Sequence, residues 1–82
     1  MRVKGLPVPL GGTATDPDGV RYGVVAIDGD RVELRAWTES DERGWTVHAV
    51  RGVPVRSGGR DILVSEVLNE EGKRPWIVLG SA

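Results

Sequence analysis

Apolar positions in this chain recur mainly at every second residue. From Val20 to Ile27 the run VRYGVVAI is dense in β-branched and aromatic side chains, and RVELRAWT takes over after Asp28-Gly29-Asp30. In the second run Val32, Leu34 and Ala36 fall on one side, with Arg31, Glu33, Arg35 and Trp37 on the other. That is the period of a strand with one buried and one wet face. Asp-Gly between two such runs predicts a tight hairpin. The segment WTVHAV, Trp45 to Val50, sets Trp45, Val47 and Ala49 against Thr46, His48 and Val50. Laid antiparallel to the preceding strand, it brings Trp45 near Trp37.

The pattern weakens and then returns. Pro54 has no N–H for a ladder, so Val53 to Val55 is at best a short edge strand, and Ser57-Gly58-Gly59 reads as a turn. Ile62 to Leu68 is the ambiguous piece, since Asp61 could cap a helix and Glu66 favours one. Seven residues before Asn69 and Gly72 is short for a helix and normal for a strand, and the segment is read as a strand. NEEGKR is a turn, and Pro75 to Gly80 a last strand whose simplest partner is Ile62 to Leu68. The first nineteen residues differ. Gly5, Pro7, Pro9, Gly11, Gly12, Pro17 and Gly19 interrupt regular structure, while Val3, Leu6, Val8 and Leu10 remain apolar enough to need a surface. Residues 1–19 are therefore expected to be an extended N-terminal arm ending in the turn Thr15 to Gly19, and residues 20–82 a single β-domain. The expected architecture is a small antiparallel barrel or rolled sheet of five to six short strands, SH3-like or OB-like.

Composition supports the β reading. Thirteen Val stand against six Leu and three Ile, with no Phe, 12 Gly and 5 Pro among 82 residues. β-Branched side chains suit a pleated surface, and Gly and Pro break helices. A formal net charge of -1 gives no overall attraction to phosphate, so nucleic-acid binding needs a local patch. The absence of Cys excludes disulfides, thiolate nucleophiles and cysteine metal sites. No apolar stretch of about 18 residues could span a bilayer, and the opening MRVKGLPVPLGG lacks the apolar run of a signal peptide.

Few residues stand in a pattern that carries chemistry. His48 is the single histidine, and none of Ser40, Ser57, Ser65 and Ser81 sits in a nucleophile motif. Asp16, Asp18 and Gly19 resemble a fragment of a calcium loop whose further ligands are missing. Gly11-Gly12 and Gly58-Gly59 lack the context of a phosphate loop. No catalytic residue, metal or cofactor is expected. Two clusters stand out by charge: Arg51, Arg56 and Arg60 without an intervening acid, and Glu39, Asp41 and Glu42.

These features lead to a non-enzymatic structural or interaction protein of a larger assembly, anchored through its arm. The closest architectural analogy is a small bacteriophage virion component such as a capsid decoration or head-completion protein. Its partners are then protein subunits, copies of itself included, and its place is the virion, or the cytoplasm before assembly. The expected contacts are Val3, Leu6, Val8, Leu10, Trp37, Arg51, Arg56 and Arg60. The alternative is a small β-barrel binding module for nucleic acid or a protein regulator, using the same three loop arginines with Tyr22 and Trp37.

Overall fold

The computed structural model describes residues 5–81, and these are all-β. In chain order the strands are β1 (Leu6–Pro9), β2 (Thr13–Thr15), β3 (Arg21–Asp28), β4 (Arg31–Trp37), β5 (Trp45–Val50), β6 (Val55–Ser57), β7 (Arg60–Leu68) and β8 (Trp76–Ser81). They form two antiparallel four-stranded sheets, A in the order β1-β8-β7-β6 and B in the order β2-β3-β4-β5. One core lies between the sheets. Val8, Ile62, Val64, Ile77 and Leu79 come from sheet A, and Tyr22, Val24, Val32, Leu34, Ala36, Val47 and Ala49 from sheet B. The sheets do not close into the expected barrel. Leu10 bridges to Val24 at one seam and Gly52 N–H donates to the Val64 carbonyl at 2.8 Å near the other, single bonds where a closed barrel would carry ladders.

The expected arm is part of this fold. Its Leu6 and Val8 pair with Leu79 and Ile77 of β8, and Thr13 to Thr15 pair with β3, which raises the strand number from six to eight. Val8 is 0% exposed, while Leu6 and Leu10 pack against the core. Val8 therefore serves the chain's own interior, and Leu6 and Leu10 do so in part; Val3 lies outside the described residues. The prolines explain why β1 sits at an edge. Leu10 N–H donates to the Pro75 carbonyl at 2.8 Å, and the alternation this fixes turns the ring nitrogens of Pro7 and Pro9 to the free side of the sheet. A missing N–H costs nothing there and blunts the edge against pairing with another chain.

The two tightest hairpins follow from glycine. Asp28 pairs with Arg31, so the central residues are Gly29 and Asp30, and Gly29 at φ 62° takes the left-handed first position of a II′-type turn. Ser57 pairs with Arg60, and Gly58 and Gly59 both have positive φ, as a I′ turn needs. Two bulges then break the period. Val25 in β3 and Ser65 in β7 each insert one residue, so Val25 is followed by an outward Ala26 and Ser65 by an outward Glu66.

Candidate functional site

The outer face of sheet B is polar and ordered in rows. Cross-strand register places Thr15, Arg21 and Trp37 in one row, Thr13, Gly23, Arg35 and Thr46 in the next, then Ala26, Glu33 and His48, and last Asp28, Arg31 and Val50. Trp45 is not on this face. It pairs with Ala36, one residue off Trp37, so the two rings point to opposite sides of the sheet instead of meeting. Trp45 instead donates its indole N–H to the Ser57 hydroxyl at 2.9 Å and rests on Gly58, holding sheet B against the β6–β7 turn.

Trp37 is half-buried, and its six-membered ring covers Gly23 at van der Waals distance, about 3.5 Å from where a Cβ would stand. Beside it runs a shallow apolar groove of ≈ 430 Å³, bounded by Gly11, Gly12, Val25, Arg35 and Glu42. A dent of ≈ 340 Å³ lies further along the face where Ala26 is small, between Glu33 and His48 on one side and Asp28 and Arg31 on the other. Its mixed charges select no single ligand. Among the described residues no group of three or more His, Asp or Glu is placed to hold a metal ion.

The loop arginines singled out by charge are all engaged. Arg51 pairs with Asp30 at 2.9 Å, Arg56 with Asp61 at 3.2 Å, and Arg60 with both Asp16 and Asp18. The first two pairs are exposed and contribute little to stability. Arg60 does more, since Asp16 is well buried and also accepts the N–H groups of Asp18 and Val20 at 2.9 Å each. The guanidinium thus clasps the β2–β3 turn of sheet B to the β6–β7 hairpin of sheet A. By contrast, Arg21, Arg31 and Arg35 on the outer face of sheet B have no carboxylate partner among the described residues. Arg35 instead donates to the Arg43 carbonyl. The sequence hid this reversal, because Glu33 stands between Arg31 and Arg35 in the strand pattern, whereas no acid lies between Arg51 and Arg60.

Tyr22 lies under the clasp and is 1% exposed, which removes it as a stacking ring. Burial pushes its phenol above its usual range, and the Asp16 carboxylate adds to this; Arg60 and a hydrogen bond with Ser57 pull the other way.

The outer face of sheet A differs in kind. Pro7 pairs with Val78, and Pro9 with Trp76, which faces Leu68 on its other side; Leu63 lies opposite Gly80. None of Leu63, Leu68, Trp76 and Val78 belongs to the core cluster, and Trp76 remains 37% exposed. An antiparallel sheet with a single buried face alternates apolar with polar residues, whereas much of the outer face of sheet A is apolar as well.

Comparison with known proteins finds no family model, no curated protein and no solved structure that matches this chain.

Proposed function

We propose that this chain is a non-enzymatic subunit of a larger protein assembly and that it docks through the outer face of sheet A. The supporting observation is the set of apolar side chains Pro7, Pro9, Leu63, Leu68, Trp76 and Val78 on this face, which lie outside the core and are only partly covered, with Trp76 the most exposed of the large ones. Exposed apolar surface with polar groups around it marks protein contact sites; here the Arg56–Asp61 pair stands at one end, and Glu66 stands in the row of Pro7 and Val78. The N-terminal segment still takes part, through Pro7 and Pro9 in place of the leucines and Val8. The proposal extends to the kind of assembly, a bacteriophage particle with this chain as a capsid decoration or head-completion protein, and to copies of the chain among its partners. Architecture supports that extension: a small, cysteine-free, valine- and glycine-rich β-domain.

Sedimentation of the native source should find the chain with a large particle. Trp76→Glu should leave far-UV dichroism and the thermal midpoint nearly unchanged, while weakening association by about 2 kcal/mol or more, as loss of a central aromatic anchor does. A chain that stays monomeric at its highest soluble concentration and sediments free of any particle would overturn the reading.

A further inference from the structure

The opposite side of the molecule carries a second, independent site. We propose that the outer face of sheet B binds single-stranded nucleic acid, with Trp37 as the stacking platform for a base and Arg21 and Arg35 as contacts to the neighbouring phosphates. Gly23 lies at the centre of this face. The Trp37 ring lies over the strand backbone at Gly23 and remains partly exposed. Gly23 has Arg21 two residues before it on the same face of β3 and Arg35 directly across on β4, so the ring over Gly23 sits between two guanidinium-bearing positions. Neither arginine has a carboxylate partner among the described residues.

An aromatic face beside unneutralised cations is the pairing that sequence-tolerant binding of single strands requires, because every base has a π-face and every nucleotide a negative charge. A duplex offers no exposed base face to a lone ring. The groove next to Trp37, lined by Val25 and the Gly11-Gly12 corner among others, gives a base room to approach. Exposed Thr13, Thr15 and Thr46 in the same two rows add hydroxyls that can donate to phosphate or sugar oxygens. Glu42 is the one acid lining this groove, beside Arg35. The site does not depend on docking through sheet A, which lies across the core.

Fluorescence anisotropy with labelled oligothymidylate and oligouridylate, titrated at several salt concentrations, tests the proposal directly. Binding should strengthen as salt is lowered, with each of Arg21→Ala and Arg35→Ala reducing the log–log salt slope by about 0.7. Arg51→Ala and Arg56→Ala should leave the slope unchanged. Trp37→Leu keeps an apolar cover on Gly23 without a stacking ring, and should weaken binding about 5- to 150-fold at constant slope; Trp37→Phe should retain most of the affinity. Dichroism of each variant checks that it is folded. No binding at low salt, equal affinity of the Leu and Phe variants, or preference for duplex over single strands would each overturn the proposal.

Discussion

A single hydroxyl shows how much one buried polar atom constrains this domain. Tyr22 is the chain's only tyrosine, set among valines beneath the Arg60 clasp, and burial is the largest cause of its raised pKa. The phenol is therefore protonated in both folded and unfolded chains below its ordinary value of 10.0. Above that, the unfolded chain ionises first. Stability from Tyr22 should be fully present up to pH 10 and fall as pH rises through the higher folded-state pKa. Denaturant midpoints measured from neutral to strongly alkaline pH should show this decline in the native chain and a flatter profile in Tyr22→Phe. Tyrosinate absorbance should appear late in the folded protein and shift to lower pH in denaturant. Equal onset in both states would mean that burial does not govern the group.

At the scale of elements, β1 carries the main difference between pattern and structure. Its alternation, Leu6, Val8, Leu10 with prolines between, has the period of a strand, but two prolines in five residues argue more loudly for an arm. What the pattern lacked was the edge: with Pro7 and Pro9 turned outward, the strand keeps its ladder to β8. Consequently Val8→Ala should cost about 2 kcal/mol, two methyl groups of burial plus a residual cavity, out of a total of about 4–12 kcal/mol for a domain of this size. Urea unfolding would measure it, and a loss below about 0.5 kcal/mol would return β1 to the role of a dispensable arm. The central strands were legible because local alternation decides them. Val32, Leu34 and Ala36 are buried while Arg31 and Arg35 are exposed, as period two requires. The bulges at Val25 and Ser65 were not, since an inserted residue shifts the phase without changing composition. The candidate surface was legible only in Trp37. Which arginines remain unpaired depends on turns meeting across the core, as Arg60 meets Asp16 44 positions away in the chain.

For the whole molecule, the two outer faces differ, yet neither sheet is an independent body. Sheet A offers Trp76 among partly covered apolar side chains. Sheet B offers arginines without carboxylate partners among the described residues, beside Trp37 and the exposed Val25 and Val50, so the two sides of the domain differ chemically. Each sheet nevertheless buries its inner face only against the other, and the core draws seven of its twelve buried side chains from sheet B and five from sheet A. Removing either sheet would expose all of the other's. The Trp45–Ser57 hydrogen bond and the Arg60 clasp add ties between them. Unfolding should therefore be a single cooperative event. The tryptophans report on it separately, since Trp37 and Trp45 stand on sheet B and Trp76 on sheet A. Trp76→Phe leaves fluorescence to sheet B, and Trp37→Phe with Trp45→Phe leaves it to sheet A. For each variant, the fluorescence midpoint should coincide with the far-UV dichroism midpoint of the same variant. A fluorescence transition that precedes or trails the dichroism would show the sheets parting before either unfolds, and the seams, not the shared core, would then set the stability of the domain.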